Sequence, residues 1–96
     1  MEKNYLEGIN TRIEKRKSGY SVIYELNGRV GECFYTYFRL KGNRKPIRQD
    51  DYMLNKVDMS PIIEELDKRY HFKDGDLITI RRQIMDDSLR ILKNSQ

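Results

Sequence analysis

Apolar and aromatic residues gather in two runs near the start of the chain, Tyr20 to Leu26 and Val30 to Leu40. Val22, Tyr24, Phe34 and Thr36 within them suit a pleated sheet. Between the runs stands Asn27-Gly28. Both residue types tolerate positive φ, which a two-residue type I′ hairpin turn demands. The pattern predicts an antiparallel hairpin with Tyr24 opposite Gly31, Val22 opposite Cys33 and Tyr20 opposite Tyr35. Ser18-Gly19 offers a second turn and so an earlier strand, roughly Ile9 to Lys17, completing a three-stranded meander. With that loop, Ile13 falls opposite Tyr24.

Alternation then sorts the side chains onto two faces. One carries Ile9, Ile13, Tyr20, Val22, Tyr24, Leu26, Cys33, Tyr35 and Tyr37 and reads as core. The other mixes Arg12, Glu14, Arg16, Ser21, Glu25 and Glu32 with Ile23, Val30, Phe34 and Phe38, and sets Arg12 across from Glu25 as an ion pair. A bulge at Gly31 would exchange the faces beyond it.

From Lys41 to Gln49 the pattern breaks. Gly42, Asn43 and Pro46 predict a loop, crowded by Lys41, Arg44, Lys45 and Arg48. Asp50 to Met59 fits no single element. A helix over 61–71 follows, with Ser60 as N-cap and Pro61 at the first helical position, where its missing N–H costs nothing. Ile62, Ile63, Leu66 and Tyr70 form its apolar face, and Glu64–Lys68 and Glu65–Arg69 are i,i+4 pairs. Asp74-Gly75 ends the segment. The run Leu77-Ile78-Thr79-Ile80 reads as a strand, Asp86-Asp87-Ser88 as a turn and Leu89 to Lys93 as a returning strand. A C-terminal helix on Ile84, Met85, Leu89 and Leu92 is the rival. The predicted architecture is α+β: a small antiparallel sheet in the order β-β-β-loop-α-β-β, with one helix packed on it.

Composition narrows the function classes. At 96 residues the chain is one domain, and 38% hydrophobic with 10% aromatic residues is enough for one modest core. A single cysteine, Cys33, rules out an intramolecular disulfide. With a polar start and no long apolar run, the expectation is a soluble cytoplasmic protein with no membrane partner. Cys33 and His71 are the only residues of their kinds, so a zinc site lacks ligands, and no cofactor is expected. Cys33, mid-strand on the apolar face, is a poor nucleophile. The adjacent carboxylates Asp50-Asp51, Glu64-Glu65 and Asp86-Asp87 diverge on any regular backbone and make no acid/base dyad. No glycine-rich phosphate loop is present. The reading is a protein that is not an enzyme.

Charge supplies the positive indication. The net charge is +4. Residues 1–49 hold 11 Lys and Arg against 5 Asp and Glu, whereas residues 50–96 hold 8 against 10. Arg12, Lys15, Arg16 and Lys17 approach the Ser18-Gly19 turn. In a meander the third strand ends at that same margin, which brings Lys41, Arg44, Lys45 and Arg48 alongside. Tyr20, Tyr35 and Tyr37 lie close by. Cations neutralise phosphates and aromatic faces stack on unpaired bases. These eleven residues are the predicted contact set for nucleic acid or an acidic protein surface. A small inhibitor or adaptor that binds a larger host protein, of the sort carried by phages and mobile elements, is the alternative. The stretch Thr11 to Leu40, with its basic-Gly-aromatic and Asn-Gly turns, loosely resembles the three-stranded DNA-binding arm of tyrosine recombinases. That likeness spans under a third of the chain. It departs where the arm's helix should follow the third strand, since the Lys41–Gln49 loop stands there.

Overall fold

The computed structural model describes residues 3–37 and 52–95. Four strands form one antiparallel sheet in sequence order: β1 (Asn10–Arg16), β2 (Gly19–Leu26), β3 (Arg29–Tyr37) and β4 (Tyr52–Asp58). Two helices follow, α1 (Ser60–Tyr70) and α2 (Asp76–Asn94). α1 packs over β2 and β3, and α2 packs over β2. The protein is therefore a small α+β fold, a helix layer on one face of an antiparallel sheet. Among the described residues no helix is long and apolar enough to cross a membrane.

The β2–β3 hairpin has the expected register, with Tyr24 opposite Gly31, Val22 opposite Cys33 and Tyr20 opposite Tyr35. Asn27 and Gly28 carry the positive φ values of 52° and 78° that the turn requires. Asn27 Nδ2 also donates to Glu65 Oε2 at 3.1 Å, and Arg29 Nη1 to Glu64 Oε2 at 2.6 Å, so the hairpin tip is tied to α1. The glutamates thus turn toward the sheet. Lys68 meets Glu65 from three residues away, in place of the expected i,i+4 pairs.

The β1–β2 register differs by two residues from the expected one. Ile13 lies opposite Val22 and Arg16 opposite Gly19, so Lys17-Ser18 is the loop. Arg12 lies opposite Ile23, and its guanidinium meets Glu14 at 3.1 Å in place of Glu25. The reason is the use made of Gly19. A Cβ there would sit 1.9 Å from the Tyr35 carbonyl oxygen. Gly19 is needed inside β2 for its close approach to β3, and the turn shifts back by one residue. The faces are unchanged, because a slip of two preserves alternation. Val22, Tyr24, Cys33 and Tyr35 are buried on the helix side, as the pattern implies.

A register shift in the sheet falls between Phe34 and Tyr35 on the β3–β4 ladder. There Phe34 pairs with Lys56 and Tyr35 with Leu54, leaving Asn55 as the extra residue. Gly31, which sequence marked as a possible bulge, stays in regular register.

α1 begins one residue earlier than expected. Its cap position is Met59, with no side-chain capping bond, and Ser60 is its first residue. Met59 is fully buried beneath the sheet, so packing, not capping chemistry, decides where the helix starts. The helix ends at His71, a non-glycine residue at φ 55° whose N–H donates to the Asp67 carbonyl at 2.7 Å. A left-handed conformation costs a side-chain-bearing residue about 1–2 kcal/mol. His71→Gly should therefore raise stability by about 1 kcal/mol, read as a higher urea midpoint with an unchanged slope.

The largest correction concerns residues 76–94. The expected hairpin is a single helix, so the order is β-β-β-β-α-α with two helices over the sheet. Its buried stripe is Ile80, Ile84, Ser88 and Leu92, one every four residues. Asp87 and Ser88 suggested a turn because such residues usually satisfy their own backbone. Here each also has a distant partner on the sheet. Tyr24 Oη donates to Asp87 Oδ2 at 2.6 Å, and Ser88 Oγ lies 2.6 Å from Tyr35 Oη and donates to the Met85 carbonyl at 3.2 Å.

Candidate binding rim

β1 divides its three cations, Arg12, Lys15 and Arg16, by alternation. Arg12 and Arg16 project from the face without helices, where acids hold them. Glu14 lies 3.1 Å from Arg12 Nε and 3.0 Å from Arg16 Nη2, and Glu32 lies 3.5 Å from Arg16 Nη2. Arg16 Nε also donates to Ser21 Oγ, which in turn donates to Glu32 Oε1 at 3.0 Å. This network roofs the fully buried Ser21. Two of the predicted contact residues are thus engaged in a local structural role.

Lys15 and Lys17 are different. Lys15 is the ladder partner of Tyr20 and shares the helix-side face with it, and Lys17 stands in the adjoining turn. Both are exposed, and neither has an ion-pair partner among the described residues. Beside them three tyrosines meet. The ring centroids of Tyr20, Tyr37 and Tyr52 lie 6.1–6.3 Å apart, mostly edge to face, within the range for favourable aromatic pairs. Each ring is half-buried. Tyr37 and Tyr52 are partners in the β3–β4 ladder, and Tyr37 N–H donates to the Ser18 carbonyl at 3.2 Å. The end of β3 and the start of β4 therefore both lie beside the β1–β2 turn, as meander topology requires.

Tyr35 does not belong to this rim. It is 2% exposed, and its hydroxyl is engaged by Ser88 inside the core. Burial raises its pKa, as it does that of Tyr24. Lys41, Arg44, Lys45 and Arg48 lie outside the described residues. Tyr52 is the rim residue that sequence reasoning missed. It falls in the stretch to which no element was assigned, and its aromatic character just after the basic segment was the available signal.

Catalytic geometry is not apparent in what is described. Cys33 is buried, and burial pushes its thiol up to about 11, the opposite of an activated nucleophile. Among the described residues no group of three or more His, Cys, Asp or Glu side chains is placed to hold a metal ion. No family model, no curated protein and no solved structure matches the chain.

Proposed function

We propose that this protein is a non-enzymatic binding module that holds nucleic acid at the rim formed by Lys15, Lys17, Tyr20, Tyr37 and Tyr52. One observation carries the reading. Two exposed lysines without acidic partners among the described residues share a margin with three half-buried tyrosines. Tyr37 and Tyr52 also bracket, in sequence, the segment that bears Lys41, Arg44, Lys45 and Arg48. Lysines release counterions from phosphates and aromatic faces accept unpaired bases.

Fluorescence anisotropy with labelled single-stranded and duplex oligonucleotides tests it. Binding should weaken steeply with salt. A Lys15→Glu/Lys17→Glu variant should bind about tenfold more weakly and lower the salt slope by about 1 for each lysine removed. Equal affinity of the variant and the wild type, or no binding at low salt, would overturn the reading.

A second reading, a small protein-binding inhibitor or adaptor, is favoured by a separate observation. Val57, Ile78 and Met85 are large and apolar, yet 49%, 75% and 45% exposed on one flank of the domain.

A further inference from the structure

β4 is an edge strand, and the helix layer leaves its helix-side face partly open. Val57 is the ladder partner of buried Cys33 and so points to the helix side, yet about half of it remains exposed. A groove of about 340 Å³ opens there, between Val57 of β4, Ser60 and Ile63 of α1, and Arg81 and Met85 of α2. Met59 and Ile84, both buried, form its floor. Ile78, Arg81 and Met85 recur at helical spacing along α2 and continue the apolar wall beyond the groove. This is a second stripe on α2, distinct from the one that packs on the sheet.

Among the described residues Arg81 is the only charged one lining the groove. It is exposed and has no ion-pair partner among the described residues. A guanidinium at the margin of apolar walls selects a carboxylate with apolar neighbours, since the fork geometry accepts two carboxylate oxygens at once. A second copy of this chain is disfavoured: a twofold contact on this face brings Arg81 toward Arg81, and among the described residues the groove offers no acid between them. Strand addition to β4 is also disfavoured, because the extra residue at Asn55 interrupts the ladder of that strand. Capture of side chains, not backbone pairing, is the mode that fits.

We infer that this groove docks a short segment of a partner protein in which aliphatic or aromatic side chains stand next to an aspartate or glutamate. The inference rests on the protein-binding reading and supplies its partner chemistry.

The test is selection of a random peptide library on the full chain, followed by affinity measurement of the enriched peptides. Enriched sequences should combine apolar anchors with an acid. Arg81→Glu and Met85→Glu should each weaken binding at least about tenfold, with far-UV circular dichroism unchanged. A peptide whose acid is replaced by lysine should lose binding to the wild type and regain it on Arg81→Glu, an exchange that a merely structural effect would not produce. If enriched peptides carry no acid, or bind Arg81→Glu as tightly as the wild type, the carboxylate inference is wrong while a protein-binding role survives. If no peptide is enriched, or if sedimentation shows that wild type dimerises and Met85→Glu does not, the docking inference is overturned.

Discussion

Gly31→Val should unfold most of the protein at room temperature. A Cβ at residue 31 would stand 2.6 Å from Met59 Sδ and 2.7 Å from Ile62 Cγ1, closer than real Cβ atoms approach. Met59 and Ile62 are both buried in the core, so a packed side chain must shift to admit the new carbon. Gly31 is the place where α1 rests on β3, and Met59 is also the cap of that helix. Valine adds two further carbons at the same spot. A single inserted methyl in a packed core costs about 1–3 kcal/mol, and valine should exceed that range. Against a total stability of about 5–15 kcal/mol, low in that range for a domain of this size, little remains. Gly31→Ala should lose about 1–3 kcal/mol and stay folded. Val30→Ala, one residue away and exposed, should change stability by about 0.5 kcal/mol or less. Urea unfolding of the three variants checks the series. If Gly31→Val unfolds at the wild-type midpoint, α1 does not sit where the coordinates place it.

The same residues show what was legible in the sequence and what was not. Asn27-Gly28, and Ile62 with Leu66, express rules that operate within a few residues, and both elements formed where those rules put them. Gly19 was misread, and Met59 fitted no element, because their roles are set by distant parts of the chain. Gly19 looks like a turn residue until the Tyr35 carbonyl is known to press on it, and Met59 looks like spacer until it is seen under Gly31. Ser88 is the sharpest case. With Asp86 and Asp87 it reads as a turn, and the Tyr35 hydroxyl that engages it inside the helix layer is 53 residues away. The candidate rim followed from topology and so was partly legible. Meander topology placed Lys15, Lys17 and Tyr20 at one margin, although the pairing of Lys15 with Tyr20 belongs to a register two residues from the expected one, and Arg12 and Arg16 were counted as available cations although alternation sets them beside Glu14. The groove was invisible, because Arg81 and Met85 share a wall only if residues 76–94 are one helix.

Raising the pH above 9 should destabilise the protein, and Cys33 should set the onset. Burial is the main cause that lifts the Cys33 thiol from 9.0 to about 11, with the Ser88 hydroxyl acting in the opposite sense. In the unfolded chain the thiol ionises near its ordinary value. Between those two values the unfolded state has released a proton that the native state retains, so stability must fall as pH rises. Below about 9 the contribution is complete, and by about 11 it is gone, a loss of about 2–3 kcal/mol. Tyr24 extends the decline to higher pH. Its phenol is raised above its ordinary value of 10.0, first by burial and then by its hydrogen bond to Asp87, so only the unfolded chain ionises it as alkalinity increases. The two onsets are separable. Cys33→Ala removes the first, and its stability should stay level to about pH 10 before Tyr24 takes effect. Tyr24→Phe keeps the first and should make the curve above it shallower, with buried Tyr35 supplying part of the remaining slope, at the cost of the Asp87 bond at every pH. Urea midpoints measured from pH 7 to 11 distinguish these curves. If the wild type and Cys33→Ala lose stability in parallel from pH 9, the thiol is not buried and the helix-side face of β3 is not the core.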